Sequence, residues 1–105
     1  YIKTLDEFLK HTNTNKIHVV IGENCAECES FLYAIADCLY PEDKDLIDIL
    51  YLSNELDEEL GEYIVDELNV YIPFFVSDKK VYFKMDVLEL KDLFCNEIEK
   101  KRLIK

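Results

Sequence analysis

The spacing of apolar and polar residues switches between helical and strand periods along the first half of the chain. Thr4-Leu5-Asp6-Glu7 is a capping box, which predicts a short helix that ends near His11. The run Ile17 to Ile21 predicts an interior strand, because β-branched residues occupy both of its faces. From Ala26 to Tyr40 the apolar residues fall on one helical face, so we expect an amphipathic helix that Pro41 stops.

The second half of the chain continues this alternation and then adds a hairpin. Leu46 to Leu52 predict a second strand, and apolar residues at every fourth position from Leu56 to Leu68 predict a helix that Asn69 closes. Two short apolar runs flank Ser77-Asp78-Lys79-Lys80 and predict antiparallel neighbours. A second capping box, at 86–89, predicts a last helix that runs into a basic tail. The predicted order is α-β-α-β-α-β-β-α.

Composition and charge narrow the class of protein. The 105 residues are 50% hydrophobic and 33% charged, without a repeat, linker or low-complexity tract, so one domain over residues 1–105 is expected. Twelve basic against 23 acidic residues give a net charge of −11, which repels phosphate backbones and anionic lipids. We therefore expect neither nucleic acid nor membrane as a partner. The acidic runs Glu42 to Asp45 and Asp57 to Glu59 are interpreted as solvated faces.

Targeting signals give little information about the compartment. No apolar run approaches the ~18 residues of a membrane span, and the first twenty residues lack the pattern of a signal peptide. The cytoplasm is therefore the default expectation. The chain begins at Tyr1 and not at Met, which keeps export open.

The sharpest chemical motif is Cys25-Ala26-Glu27-Cys28, where the first predicted strand ends and the amphipathic helix begins. Free amides and the positive end of the helix dipole favour ionisation of a thiol at Cys25, and a thiolate is the attacking species in disulfide exchange. Cys28 lies one turn later on the apolar face, shielded yet close enough to attack a mixed disulfide on Cys25. This placement predicts Cys25 as the nucleophile and Cys28 as the resolving cysteine.

Two other interpretations of the motif are open, namely buried packing and half of a zinc site. A structural zinc ion takes four ligands, and Cys38 and Cys95 are the other thiols. Cys38 follows Cys28 in the same predicted helix and would lie ~15 Å away at a rise of 1.5 Å per residue. The two histidines, His11 and His18, form no ligand spacing and are expected to be solvated or hydrogen-bonded. No metal is therefore expected. For Cys38 and Cys95 packing is favoured, and a link between them stays possible if their helices are neighbours.

Tyr71-Ile72-Pro73, directly before the third predicted strand, is the second distinctive feature. Together with C-x-x-C after the first interior strand and a closing helix, it makes the chain resemble the thioredoxin-like superfamily over nearly its full length. The resemblance implies an α/β fold, with a central mixed four-stranded β-sheet flanked by helices on both faces. It also implies that Pro73 is cis beside the active cysteines and that the backbone of Ile72 is free to pair with an extended substrate. Asn24, next to the motif, is assigned to the same substrate site.

The chain departs from both named branches of that superfamily. Thioredoxins proper have Trp-Cys-Gly-Pro-Cys, whereas Asn24 precedes the motif here and Ala26-Glu27 lie inside it. The buried acid that thioredoxins place six residues before the first cysteine is replaced by Val19. Glutaredoxins usually show a Gly-Gly pair after the hairpin that helps to seat glutathione, but no glycine follows Pro73. We therefore place the chain in the broad superfamily and in neither branch.

These features predict a thiol–disulfide oxidoreductase that reduces protein disulfides, with no cofactor beyond the redox-active Cys25–Cys28 disulfide. Protein thiols or disulfides and a recycling reductase are the expected partners, and the chain is expected to be a monomer. Glu23, Glu27 and Glu29 crowd the motif and oppose the helix dipole, so a reductant is expected rather than a disulfide donor. The alternative is a non-catalytic thioredoxin-like peptide-binding or adaptor domain that keeps the groove beside Pro73.

Overall fold

The computed structural model describes residues 1–104, and its helices and strands follow the predicted order. The helices are α1 (Leu5–His11), α2 (Ala26–Ala36), α3 (Glu58–Glu62) and α4 (Val87–Leu103). The strands are β1 (Ile17–Gly22), β2 (Ile47–Leu52), β3 (Phe74–Ser77) and β4 (Lys80–Tyr82). Two further segments are a 3₁₀ helix at Pro41–Leu46 and a π-helical turn at Tyr63–Glu67. Within the described part of the chain, no helix is long and apolar enough to cross a membrane.

The four strands form one mixed sheet in the order β2-β1-β3-β4. β1 pairs parallel with β2 and antiparallel with β3, and β4 closes the hairpin against β3. In this register Val19 of β1 lies opposite Ile49 on one side and Phe75 on the other. β1 is therefore an interior strand, as its β-branched residues predicted, and all six residues of the strand are buried.

Helices cover both faces of the sheet, each over its own apolar core. On one face Val20 and Phe74 of the strands pack with Phe8 of α1 and Leu60 of α3. The other face carries Val19 and Phe75, against which Phe31 of α2 and Phe94 of α4 are packed. Successive strand residues point to opposite faces, so a strand that feeds both cores must be apolar at almost every position. The predicted fold, a mixed four-stranded sheet with helices on both faces, is confirmed.

Helix α2 ends at Ala36, so the prediction that it extends to Tyr40 is wrong. After Ala36 the amides of Cys38 and Leu39 bond to carbonyls three residues back, at 3.1 and 3.4 Å, which tightens the helix end into a turn. Tyr40 is then extended, and Pro41 begins the 3₁₀ helix instead of merely stopping α2. A proline is well suited to the first position of a helix because its missing N–H is not needed there.

The acidic segment after Pro41 is only in part the solvated face that the sequence suggested, because Asp43 is buried at 3% relative exposure whereas Glu42 and Asp45 are exposed. Its carboxylate accepts hydrogen bonds from Nε and Nη2 of Arg102 at 3.0 and 2.6 Å. The same Nη2 donates to the carbonyl oxygen of Cys38 at 2.6 Å. The basic tail at the end of α4 therefore binds back onto the chain, and it holds the connection between α2 and β2 in place.

The helix predicted from Leu56 to Leu68 is split into α3 and the π-helical turn. Asp57 caps α3 by accepting the Leu60 amide at 3.0 Å. The Leu68 amide bonds to the carbonyl of Tyr63, five residues back, at 2.9 Å, which is the π pattern. Asn69 then takes a left-handed φ of 56°, as expected for the residue that ends this segment. The apolar period of four does not distinguish one continuous helix from this broken one.

Cys38 and Cys95 form a disulfide, whereas the sequence favoured packing and left a link open. Cys38 lies in the turn just after α2 and Cys95 lies in α4, and these two helices contact each other on the same face of the sheet. That adjacency is the condition under which the sequence analysis allowed a link.

Candidate active site

Cys25 lies at the N-cap of α2, directly after the turn that follows β1. Asn24 takes a left-handed φ of 52° in this turn and is exposed, so the chain reverses within two residues of the strand end. The Sγ atom of Cys25 accepts a hydrogen bond from the amide of Cys28 at 3.1 Å. A sulfur is thus placed where a helix presents free N–H groups, which is the position that the motif predicted.

Cys25 and Cys28 are joined in a disulfide, with Cα atoms 5.2 Å apart. The two sulfurs differ in access, because Cys25 is half-buried whereas Cys28 has a relative exposure of 2%. Cys28 belongs to the core cluster between α2, α4 and the sheet. Cys25 is therefore the more accessible cysteine of the pair.

The sheet beneath the pair is apolar. Val19 is fully buried in the cluster that contains Cys28 and against which Cys25 packs. Val19 occupies the position, six residues before Cys25, at which thioredoxins carry a buried acid. Proton exchange with Cys28 therefore cannot use the side chain at position 19.

The Ile72–Pro73 peptide bond is cis in the structure, and Pro73 is buried. Ile72 is half-buried and packs against the same cluster as Cys25 and Cys28. A Cβ placed on Gly22, at the end of β1, would lie only 2.6 Å from Cδ1 of Ile72. The glycine thus leaves room for Ile72, and the fold brings the strand end, the cysteine pair and the Ile-Pro segment together.

A groove of about 280 Å³ lies beside Pro73. Its apolar lining comes from the segment around the proline, the residues after β4 and the first residue of α4: Tyr71, Ile72, Pro73, Phe83, Met85 and Val87. Two charged side chains, Glu27 of α2 and Lys84, complete the lining. Asn24 is not part of this lining, so only two of the three predicted substrate-binding residues line the groove.

Three groove residues, Tyr71, Phe83 and Met85, were not assigned to the substrate site from the sequence. The rings of Tyr71 and Phe83 lie edge to face with centroids 6.3 Å apart, and Met85 has a relative exposure of 84%. Tyr71 adjoins the Ile-Pro pair in sequence, which was an available signal. Phe83 and Met85 carry no motif, because they reach the groove only through the hairpin that returns the chain to Pro73.

His18 is a buried polar residue at the start of β1, away from the cysteine pair at the strand's other end. Its Nε2 lies 2.8 Å from Thr14 Oγ1 and its Nδ1 lies 3.3 Å from Asp48 Oδ2. Burial lowers the pKa of His18 below its usual 6.5, and the hydrogen bond to Asp48 partly opposes that shift. The histidine is hydrogen-bonded, in agreement with the sequence interpretation.

No group of three or more His, Cys, Asp or Glu side chains in residues 1–104 is arranged to hold a metal ion. Cys38 and Cys95, the other two thiols considered for zinc, are bonded to each other.

Comparison with known proteins identifies the fold. No protein-family model matches the chain, and no curated protein matches it in sequence. The structure is similar to the thioredoxin Mala s 13 of Malassezia sympodialis, with a TM-score of 0.57 and 16% sequence identity, covering 92% of this chain and 88% of that one. It is also similar to the germline-specific thioredoxin Deadhead of Drosophila melanogaster, with a TM-score of 0.52, 13% identity and coverage of 90% and 95%. The chain therefore has the thioredoxin-like fold, and it carries a disulfide-bonded C-x-x-C pair.

Proposed function

We propose that this protein is a thiol–disulfide oxidoreductase that reduces disulfides of protein substrates through Cys25 and Cys28. The observation that carries the proposal is the asymmetry of the pair. An accessible sulfur lies at the start of a helix, bonded to a buried sulfur one turn later. Such an arrangement separates the attacking from the resolving role.

In the reduced protein, the Cys25 thiolate attacks one sulfur of a substrate disulfide. The substrate S–S bond breaks, its other sulfur leaves as a thiolate and is protonated, and Cys25 is joined to the substrate in a mixed disulfide. Deprotonated Cys28 then attacks the sulfur of Cys25 and displaces the second substrate thiol. Two electrons pass to the substrate, and the protein is left with the Cys25–Cys28 disulfide. A recycling reductase returns two electrons to the pair.

The residues around the pair are assigned roles in binding. The Ile72 backbone pairs with an extended substrate segment, Pro73 forms the floor of the groove, and Asn24 flanks the entrance to Cys25. We assign these roles to a single domain spanning residues 1–105 that acts as a monomer in the cytoplasm. Glu27 in the first turn of α2 and the net charge of −11 disfavour a further negative charge at Cys25, which favours a reductant over a disulfide donor.

The reduction of a protein disulfide in the presence of a small dithiol tests the proposal. Insulin serves as the substrate, and precipitation of its freed chain is followed by turbidity. The wild-type protein should accelerate reduction, and Cys25→Ser should abolish the acceleration. Pre-reduced Cys28→Ser, mixed with insulin after the dithiol is removed, should accumulate a mixed disulfide on Cys25. A double variant, Cys38→Ser with Cys95→Ser, is the control and should remain active. If the wild-type protein binds peptides in the groove without accelerating reduction, the chain is an adaptor domain and the proposed activity is wrong.

A further inference from the structure

We infer that the groove beside Pro73 selects substrate segments with a large apolar side chain and a lysine or arginine next to the reactive cysteine. This inference rests on the proposed function, because it concerns which disulfides the Cys25–Cys28 pair accepts. Its basis is the lining of this chain's own groove, where an apolar floor meets an acidic side chain from the helix that carries both cysteines.

The apolar half of the preference follows from side chains left open to solvent. Tyr71 and Met85 have relative exposures of 63% and 84%, and both line the groove with Phe83. Large apolar side chains grouped around a concave surface indicate a binding site when they adjoin polar residues. The volume of about 280 Å³ lies at the lower end for ligand pockets, so it suits one or two side chains of an extended peptide.

The cationic half follows from the position of Glu27. Its side chain lines the groove and belongs to the first turn of α2, the turn that begins at Cys25. Glu29 lies in the same turn, and Glu23 precedes the pair, where its carboxylate accepts a hydrogen bond from Asn54 at 2.6 Å. With the overall charge of −11, these acids attract a cationic segment toward Cys25 and repel an acidic one.

Lys84 also lines the groove, and its charge is opposite to that of Glu27, so the two ends of a bound charged segment are not equivalent. Lys84 follows β4, whereas Glu27 lies in the helical turn of the reactive cysteine. The substrate's cation therefore belongs close to its cysteine, on the Glu27 side, and its apolar residue packs between Tyr71 and Met85. We expect Glu27 to be the specificity-determining residue for charge, with an effect of about two- to five-fold per charge at low salt, as for exposed ion pairs.

The test uses short cysteine peptides activated as mixed disulfides with 5-thio-2-nitrobenzoate. Cys25 of the pre-reduced protein attacks the peptide sulfur and releases the coloured thiolate, and Cys28 then frees the peptide thiol as the pair is oxidised to its disulfide. The second-order rate constant of this single turnover, which corresponds to kcat/KM, is read from absorbance. One series has Phe and either Lys, Ala or Glu beside the cysteine, and a second replaces Phe with Gly. Wild-type protein should prefer the Lys peptide to the Glu peptide by about five-fold or more at low salt, and the preference should shrink at high salt.

Two charge-reversal variants locate the effect. Glu27→Lys should remove or invert the preference for the Lys peptide. Asp45→Lys makes the same change in net charge at an exposed position. Asp45 lies near the end of the 3₁₀ helix, at the end of the sheet opposite the cysteine pair, so this variant should keep the preference. Met85→Ser, at an exposed position, should lower kcat/KM for Phe peptides more than for Gly peptides. Equal rates for all peptides, or an unchanged preference in Glu27→Lys, would overturn the inference and leave the activity intact. Release no faster than in Cys25→Ser for every peptide would overturn the proposed function instead.

Discussion

Cys38 and Cys95 are joined by a disulfide, with Cα atoms 5.9 Å apart, which ties the residue beyond the C-cap of α2 to α4. The other end of α2 carries the Cys25–Cys28 pair. Helix α2 therefore begins at a candidate reactive disulfide, and a second disulfide follows directly after its C-cap. Arg102 supports this second end, because it donates to the carbonyl oxygen of Cys38 and to the buried carboxylate of Asp43.

Removal of the Cys38–Cys95 bond should destabilise the oxidised protein. The two cysteines are 57 residues apart in sequence, so the bond restricts the unfolded chain strongly. Loop-closure entropy for that separation corresponds to about 4 kcal/mol, which is an upper figure for Cys38→Ser with Cys95→Ser. Urea unfolding of the oxidised double variant and wild type measures the difference. The Cys25–Cys28 bond closes a much shorter loop, so the double variant Cys25→Ser with Cys28→Ser should lose less stability. Equal midpoints for wild type and the Cys38/Cys95 variant would contradict this prediction.

Arg102→Ala should shift urea unfolding to lower concentration. The substitution removes two hydrogen bonds from the carboxylate of buried Asp43 and one from the Cys38 carbonyl. It also removes the guanidinium that lies over the ring of Tyr40 at 4.5 Å. Arg102→Lys keeps the charge but loses the planar fork, so its midpoint should fall between those of Ala and wild type. Lys44→Ala, an exposed cation in the same 3₁₀ helix, is the control and should change the midpoint less.

The sequence predicted the sheet and the cysteine pair because both depend on local signals. A β-branched run at β1, a capping box at Thr4 and an N-cap cysteine each identify their own structure without reference to the rest of the fold. The same applies to Asn69, whose left-handed conformation ends the α3 region. The resemblance to the thioredoxin-like superfamily implied the mixed sheet with helices on both faces, and the alternation of helix and strand agrees with that topology.

Apart from the ends of the helices, the features that the sequence did not predict depend on contacts between residues far apart in sequence. In the sequence, Asp43 is one acid in a run that is expected to be solvated. Its hydrogen bond with Arg102 forms only because the end of α4 packs against the 3₁₀ helix. The Cys38–Cys95 bond likewise depends on how α2 lies against α4. Phe83 and Met85 reach the groove through the β3–β4 hairpin. The periodicity of the sequence does not predict such contacts, because it indicates which face of an element is buried and not which residues cover that face.

Stability should fall as the pH drops through 6.5, in part because of His18. Burial lowers its pKa in the folded protein, so between that lowered value and 6.5 the unfolded chain binds more protons than the folded one. Its contribution is therefore complete above 6.5 and is lost as the pH falls toward the folded pKa. Asp48, which accepts its hydrogen bond, and the neighbouring Lys16 and His11 are all kept in His18→Gln.

Unfolding free energies between pH 5.5 and 7.5 measure this contribution. The His18→Gln variant keeps a side chain that can hydrogen-bond but does not titrate, so its pH dependence should be shallower than that of wild type. The difference between the two curves isolates His18 from the many carboxylates. If the curves of wild type and His18→Gln are parallel, His18 binds protons equally in the folded and unfolded states, which contradicts the prediction.

Gly22→Ala should impair catalysis more than folding. A Cβ at Gly22 would lie 2.6 Å from Cδ1 of Ile72, so the isoleucine must move in the groove next to the cysteine pair. Its backbone φ is ordinary, and a flexible side-chain end can give way, so stability should change little. We expect kcat/KM for peptide disulfides to fall by roughly ten-fold, since misplacement by about an ångström costs up to ~100-fold. Gly61→Ala, whose new Cβ would face Leu56, is the control and should keep the wild-type rate.

Cys25 should be alkylated faster than Cys28, Cys38 or Cys95 in the reduced, folded protein, because it is accessible and lies at a helix start. Iodoacetamide, which is neutral, measures this rate by mass mapping without involving the peptide groove.

Glu27→Gln should increase that rate at pH 7. The carboxylate lies in the same helical turn as Cys25 and disfavours the thiolate, whereas the helix amides favour it. A charge at ~6 Å with an effective dielectric near 20 is worth about 2–3 kcal/mol before screening, and solvent exposure of Glu27 reduces this to a few-fold effect in rate. Asp45→Asn removes a charge far from the pair and should leave the rate unchanged. If Glu27→Gln reacts no faster than wild type, local acids do not control the thiol. In that case no disfavoured thiolate destabilises the reduced pair, and the protein is not favoured as a reductant over a disulfide donor.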